Sequence, residues 1–204
     1  MASTDYVAPN ELKAYIGLTL TTTDDQIAAA CTAASREVDG HCRRRFYADS
    51  VASARLFHRI DNHTARIDDC VSGTITKVEF DTGTDQTWAK TLTAAEWLAY
   101  PLNGIGDSGE PWPVTKIRTA GQLLIPTDVT AGMPTVRVTA RWGWPSVPQP
   151  VKQATLIVAA EIYKLREAPF GVAGFDQYGA VRIRSLPQVE RMLAAYTLYE
   201  AGIA

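Results

Sequence analysis

Apolar positions repeat with helical spacing through the first fifty residues. This pattern predicts one helix from Pro9 to Gly17 and a second from Thr23 to about Gly40. Proline suits the first position of a helix, and glycine suits the turn that ends it. Thr23 and Gln26 fit a capping box at the start of the second helix. The predicted buried stripe of that helix consists of Ile27, Cys31, Ala34 and Val38.

The period changes to two between about residues 52 and 144, which predicts strands. Residues 54–60 and 114–119 are weaker strand candidates, and a short helix is predicted from Thr93 to Tyr100. The clearest alternation predicts an inward face made of Thr76, Val78, Phe80, Val136, Val138, Ala140 and Trp142. The alternating polar positions, which should face solvent, are Lys77, Glu79, Asp81, Arg137, Thr139 and Arg141. All five tryptophans fall within this stretch, so we expect a β-rich module with its own small core.

The helical period returns after Pro150. Residues 151–165 are apolar almost all round, which predicts a helix that is central or is shared between subunits. Residues 180–184 could form a short strand, and Ser185 and Gln188 fit a second capping box. The helix that follows has an apolar face made of Val189, Met192, Leu193 and Tyr196.

These elements predict an α+β fold. Its expected architecture is a small helical bundle, with two N-terminal and two C-terminal helices and a β-rich insertion between them. The predicted domains are a helical core, residues 1–50 with 146–204, and an insertion module, residues 51–145. The helical parts should pack together, and the insertion should project from them.

The composition excludes several classes of protein. Hydrophobic residues make up 46% of 204 residues, which is enough for a real core and excludes disorder over most of the chain. A net charge of −2 and a pI near 5.9 argue against a dedicated DNA-clamping surface. The longest uncharged apolar stretch, residues 154–160, is far too short to cross a bilayer, and no secretory signal is visible. We therefore expect a soluble, intracellular chain with no membrane partner.

Residues that could carry catalysis or bind a metal lack the spacing this chemistry needs. No CxxC or HExxH pattern joins Cys31, His41, Cys42, His58, His63 and Cys70. No Gly-x-Ser-x-Gly elbow and no phosphate-cradling glycine loop occurs. Three cysteines, an odd number, do not indicate a disulfide framework. The sequence predicts no enzyme, no metal site and no cofactor, and a histidine-dependent hydrolase is the weakest alternative.

Two candidate binding surfaces stay open. Arg43, Arg44 and Arg45 precede Phe46 and Tyr47, an arrangement that could contact phosphates and stack on bases. Cations at a helix end also complement the carbonyl dipoles, and the acidic balance of the chain favours this simpler interpretation. The tryptophans of the insertion could form a glycan- or ligand-binding platform, although aromatic residues in small β modules usually form the core.

Four segments form a series that is found in a known family. They read YVAPNELKAYIG (residues 6–17), TTDDQI (22–27), HCRRRFY (41–47) and PVKQATLIVAAEIYKLREAPFGVAGF (150–175). In this order they resemble the head-to-tail adaptor proteins, also called connector or head-completion proteins, of long-tailed bacteriophages. The resemblance covers about residues 6–50 and 148–200, whereas the β-rich insertion is far less diagnostic.

The resemblance implies a structural, non-enzymatic protein of the virion neck, assembled in the host cytoplasm. Subunits would form a homo-oligomeric ring, usually of twelve, that docks beneath the portal protein and extends the channel through which double-stranded DNA passes. The ring would also carry the next neck component, a stopper or tail-completion protein. The family's C-terminal segment commonly reaches into the portal, and the corresponding residues here are Tyr196, Leu198, Tyr199 and Ile203. Candidates for subunit or partner contacts are Arg43, Arg44, Arg45, Phe46, Phe170 and Phe175.

Overall fold

The computed structural model describes residues 4–18, 24–83, 85–106, 109–127, 132–167 and 186–198. Within these ranges lie four α-helices and two antiparallel sheets, in the order helices, strands, helices, which confirms the predicted α+β fold. The helices are α1 (Pro9–Ile16), α2 (Asp24–Cys42), α3 (Gln149–Glu167) and α4 (Pro187–Leu193). The strands are β1 (Ser53–Phe57), β2 (Thr64–Cys70), β3 (Lys77–Phe80), β4 (Lys90–Thr91), β5 (Trp97–Tyr100), β6 (Val114–Thr119) and β7 (Val136–Ala140).

The chain divides into two compact units. The helical unit comprises Met1–Arg45 and Val147–Ala204, and the β-rich unit comprises Phe46–Ser146. None of the helices within the described ranges is both long and apolar enough to cross a membrane.

The two predicted N-terminal helices are confirmed. α1 begins at Pro9, and Gly17 ends it in the left-handed conformation at φ 74°, which glycine adopts without steric cost. The apolar stripe of α2 is fully buried at Ile27, Cys31, Ala34 and Val38, as its spacing predicts. α2 continues through Gly40 to Cys42, and Thr23 of the predicted capping box lies outside the described residues.

α3 is the central helix of the helical unit. It packs against α1, α2 and α4, and this confirms the central position that its apolar sequence predicts. Its buried side chains include Val151, Ala154, Ile157, Val158, Ala159, Ala160 and Tyr163. Leu165, the last residue of the predicted apolar stretch, is instead 47% exposed near the end of the helix.

α4 begins at Pro187, with Leu186 as the N-cap residue and no side-chain cap. Val189 and Leu193 are buried, in agreement with the predicted apolar face. Ser185 of the second predicted capping box and the predicted strand 180–184 lie outside the described residues.

The β-rich unit is built from two antiparallel sheets. Their strand orders are β1–β7–β3–β4 and β2–β6–β5, and their inner faces share a core. The predictions of β1, β3, β6 and β7 are confirmed, whereas β2 and β4 were not predicted. Strand β7 is central and buries Val136, Val138 and Ala140 by strict alternation.

The predicted helix from Thr93 to Tyr100 is wrong. The Glu96 carboxylate accepts hydrogen bonds from the Thr93 backbone N–H (2.7 Å) and hydroxyl (2.9 Å). This contact closes a turn, and the chain then continues as strand β5. Pairing with β6 overrides the local helical signal because it packs Trp97 and Ala99 against the core.

The predicted solvent-facing side of β3 is also wrong at two positions. Glu79 is 3% exposed and Asp81 is fully buried. The Asp81 carboxylate accepts hydrogen bonds from the backbone N–H groups of Gly83, Asp85 and Gln86, so it organises the loop that follows the strand. Burial of these carboxylates is tolerated because each one has hydrogen-bond donors.

Candidate interaction surfaces

The first residues of the predicted portal-binding segment are held against the end of α2. Tyr196 is buried, and its carbonyl oxygen accepts a hydrogen bond from the Arg44 guanidinium (3.3 Å). The Leu198 backbone N–H donates to the carbonyl of Cys42 (3.0 Å), one of the carbonyls that a helix end leaves without an intrahelical partner. The Thr197 hydroxyl donates to the carbonyl of Leu193 (3.0 Å). Tyr196 and Leu198 thus belong to the packing of the helical unit.

Several predicted interface residues lie outside the described residues. These are Tyr199 and Ile203 of the C-terminal segment, and Phe170 and Phe175 after α3.

The arginine run begins one residue after α2 ends. Arg43 has a left-handed backbone at φ 54° and an exposed side chain, while Arg44 and Arg45 are half-buried. The hydrogen bond from Arg44 to the Tyr196 carbonyl gives that arginine a structural role within the helical unit. The run is therefore not a continuous exposed basic patch.

Phe46 does not lie on the surface. Its side chain is fully buried, and its ring centroid is 5.0 Å from that of Trp144, which is also fully buried. The structure therefore gives no exposed ring at this position to support its assignment as an interface residue.

The tryptophans are mainly core residues. Trp142 and Trp144 are fully buried, and Trp88 is 9% exposed. Trp112 packs against the Trp144 ring at 4.7 Å between centroids, and Trp97 packs against the core. The indole N–H of Trp142 donates to the Ser53 carbonyl, and the indole N–H of Trp144 donates to the Asp69 carboxylate. A flat platform of exposed indoles, which a glycan-binding role requires, is not formed by these five rings.

The cysteines are separate and buried. Burial raises the pKa of the thiols of Cys31 and Cys42 to about 11 and that of Cys70 to about 12, so all three are protonated near neutral pH. All three are free.

The titratable side chains are dispersed rather than gathered into a centre. His58 is exposed, whereas Nδ1 of His63 lies 3.0 Å from both the Thr119 hydroxyl and the Leu123 carbonyl. Among the residues that the structure describes, no three His, Cys, Asp or Glu side chains form a group that could hold a metal ion.

One surface that sequence reasoning missed lies on the outer side of the β2–β6–β5 sheet. Alternate residues of these strands face away from the core, and the cross-strand register arranges them in two rows. The first row is Arg66, Lys116 and Tyr100, and the second row is Thr64, Arg118 and Leu98. We call this set of six residues the basic face. Its three cationic side chains and Leu98 are exposed, and Thr64 and Tyr100 are half-buried.

The acidic residues at the margins of the basic face are already engaged. Asp61 accepts hydrogen bonds from the backbone N–H groups of His63 and Thr64, which lower the pKa of its carboxyl group, as does nearby Arg118 to a lesser extent. Asp68 forms an ion pair with Arg55 (2.7 Å). The alternation of Lys116, Ile117 and Arg118 is the sequence signal for half of this face. Arg66 could not be added to it because strand β2 was not predicted.

Comparison with known proteins shows the fold of the chain. No family model matches it, and no curated protein matches it. It is similar to a chain in the neck of an empty gene transfer agent particle computed with C6 symmetry, with a TM-score of 0.55 and 18% identity. It is also similar to a chain in the virion of a native gene transfer agent particle, with a TM-score of 0.52 and 18% identity. Each likeness covers 98% of this chain and 93% of the other, so the fold is shared over almost the whole length of both.

Proposed function

We propose that this chain is a structural neck protein of a phage-like particle, without enzymatic activity. Its subunits form a ring, most simply of twelve, beneath the portal protein. The ring extends the DNA channel and provides the platform for the stopper or tail-completion protein. The observation that carries the proposal is the likeness, over 98% of the chain, to a chain in the neck of a gene transfer agent particle.

Two further observations support this proposal. The four segments that resemble phage adaptors lie in the helical unit and at the start of the β-rich unit. The elements occur in the predicted order of helices, then strands, then helices. The C6 symmetry of the neck that contains the similar chain is compatible with twelve subunits, because twelve is a multiple of six. A ring requires a head-to-tail contact in which two different faces of each subunit meet.

Binding energy, with no bond-making step, is the proposed mechanism. An apolar C-terminal segment binds the portal, and the conformational entropy lost on binding keeps a single contact weak. Several identical contacts around one ring then act together and raise the overall affinity. Tyr199 and Ile203 are the residues that we assign to this contact, because Tyr196 and Leu198 are already used inside the helical unit.

We also propose that the two units act as separate domains. The helical core, assigned by sequence to residues 1–50 and 146–204, would hold the ring and portal contacts. The insertion, assigned to residues 51–145, would face a neighbouring component or the DNA. The compact units Met1–Arg45 with Val147–Ala204, and Phe46–Ser146, support a division near these boundaries.

Native mass spectrometry together with negative-stain images of the purified chain tests the proposed function. The expected result is a closed ring with a central hole, formed at high concentration or on addition of purified portal protein. A chain that stays monomeric in both conditions, and shows no binding to the portal, would contradict the neck assignment.

A further inference from the structure

The cationic side chains of the basic face lie close enough to repel one another, and the fold does not require this repulsion. Arg66 and Lys116 are directly opposite across β2 and β6, where side chains lie about 5 Å apart and like charges destabilise a sheet. Arg118 follows Lys116 by two residues, about 6.8 Å along the same strand. Three cations are thus concentrated within two adjacent rows.

Nearby acids do not neutralise this concentration of charge. Among the described residues, no carboxylate lies within ion-pair distance of Arg66, Lys116 or Arg118, although Asp61 acts on Arg118 at longer range. Asp68, on the same strand as Arg66, is occupied by Arg55. The β-rich unit contains other cations that do have such partners, for example Arg137 with Glu79 and Lys90 with Glu96.

The polar groups of the basic face are suited to an anion. Arg and Lys side chains only donate hydrogen bonds, and the Tyr100 hydroxyl can donate as well. A partner that matches this face must present several closely spaced negative charges. Double-stranded DNA carries one negative charge per about 1.7 Å of helix axis, a higher density than an ordinary acidic protein surface offers.

We propose that the basic face, through Arg66, Lys116 and Arg118, binds the phosphate backbone of double-stranded DNA. The choice of duplex DNA as the anion rests on the proposed function, because a neck conducts DNA. The charge arrangement of the basic face does not depend on the proposed function. The contact is independent of base sequence, since phosphate contacts carry no sequence information. It is also weak, because only three phosphates are neutralised, and weak contacts allow DNA to slide.

Fluorescence anisotropy of a labelled duplex of about 30 base pairs, titrated with the full chain at several salt concentrations, tests this proposal. Three phosphate contacts predict a slope of about −2.7 for log K against log salt, hence an affinity loss of about 40-fold between 50 and 200 mM salt. Each single change, Arg66→Gln, Lys116→Gln or Arg118→Gln, should make the slope shallower by about 1. The triple variant should lose the salt-dependent binding.

A matched triple variant controls for net charge. Lys77→Gln, Lys90→Gln and Lys164→Gln remove three positive charges that lie outside the basic face, each of which pairs with a carboxylate. This control should keep the wild-type slope, and unchanged tryptophan emission should show that both triple variants retain the fold of the β-rich unit. If both triple variants lose affinity equally, or if the wild-type chain does not bind the duplex at 50 mM salt, the proposal is overturned.

Two further results separate this proposal from its alternatives. Binding to poly-L-glutamate without binding to the duplex would overturn it in favour of an acidic protein partner. A ring that forms on the portal, from a chain whose basic face does not bind DNA, would overturn this inference and leave the neck assignment in place. DNA binding by a chain that neither closes into a ring nor binds the portal would overturn the neck assignment and leave the DNA contact of the basic face in place.

Discussion

Arg137 and Glu79 form a bidentate ion pair across strands β7 and β3. The guanidinium Nε and one terminal nitrogen each donate to a different carboxylate oxygen, both at 2.7 Å. The two residues are direct partners in the strand register, and the guanidinium also lies 4.9 Å from the centroid of the Trp88 ring. Trp88 and the loop organised by Asp81 follow β3, and Glu79 is 3% exposed. The carboxylate of this pair is therefore buried, whereas the Arg137 side chain is 29% exposed.

The ion pair predicts a loss of stability in acid. The hydrogen bonds from Arg137, and to a lesser extent that from Lys77, lower the pKa of Glu79 from 4.5 to about 2. Because the folded-state pKa is depressed, the stabilisation is present above pH 4.5 and is lost as the pH falls from 4.5 towards 2. The shift corresponds to at most about 3 kcal/mol. Urea denaturation at pH 6 and pH 3, followed by tryptophan fluorescence, measures this loss in the β-rich unit, where all five tryptophans lie.

Glu79→Gln should remove most of this acid sensitivity. The variant should be less stable than the wild type at pH 6 and should approach it at pH 3, because the neutral amide has no charge to lose. Glu161→Gln on α3 is the control, since among the described residues its ion-pair partner is the exposed Lys164. An equal pH dependence in the wild type and in Glu79→Gln would contradict the assignment of the ion pair.

Gly143 should be the glycine of the β-rich unit that is least tolerant of a side chain. Its φ is 110°, and an added Cβ would lie 2.0 Å from the backbone carbonyl oxygen of Tyr47. We expect Gly143→Ala to destabilise this unit by about 3 kcal/mol or more, from the combined clash and left-handed strain. Gly121→Ala is the matched control: φ is 62°, and no atom lies within 4 Å of the added Cβ. Its cost should be about 1 kcal/mol, the strain alone.

The same denaturation curves measure both glycine variants. If they lose equal stability, the close approach of Tyr47 to Gly143 is not rigid enough to matter.

Local periodicity predicted the elements whose buried face is set by their own sequence. The stripe on α2 and the alternation on β7 follow from the geometry of a helix and a strand, and both are confirmed. The central position of α3 follows in the same way, because a helix that is apolar almost all round must be surrounded.

The remaining features depend on contacts between distant parts of the chain. Strand β5 replaces the predicted helix because β6, some twenty residues later, pairs with it. Glu79 is buried because its partner Arg137 lies 58 residues away. The basic face combines strands from three separate segments, so its charge appears only when the register of the sheet is known.

The buried thiols predict that the native chain resists alkylation. Burial raises the pKa of Cys31, Cys42 and Cys70 to about 11 or 12, and thiolate is the reactive form. Iodoacetamide at pH 8 should therefore modify none of the three in the native chain and all three in urea, as counted by intact-mass spectrometry. Fast modification of one thiol without denaturant would show that its segment opens readily.

Truncation of the chain after Leu198 should abolish portal binding and leave the stability of the fold unchanged. A chain that ends after Leu198 keeps the buried Tyr196 ring and the hydrogen bond to the Cys42 carbonyl. We expect this chain to keep its thermal unfolding midpoint, followed by circular dichroism at 222 nm, and to lose binding to immobilised portal protein. The contact assigned to Tyr199 and Ile203 is the reason for the expected loss of binding.

A chain that ends after Ala195 should have a lower thermal unfolding midpoint and should also fail to bind the portal. It lacks Tyr196 and the Leu198 contact, and removal of a large buried aromatic side chain costs about 3–5 kcal/mol. The substitution pair Tyr199→Ala and Ile203→Ala, made in the full-length chain, should reproduce the first truncation without changing chain length. Portal binding that survives both the shorter truncation and the double substitution would place the portal contact elsewhere on the chain, because the residues beyond Leu198 would then be dispensable.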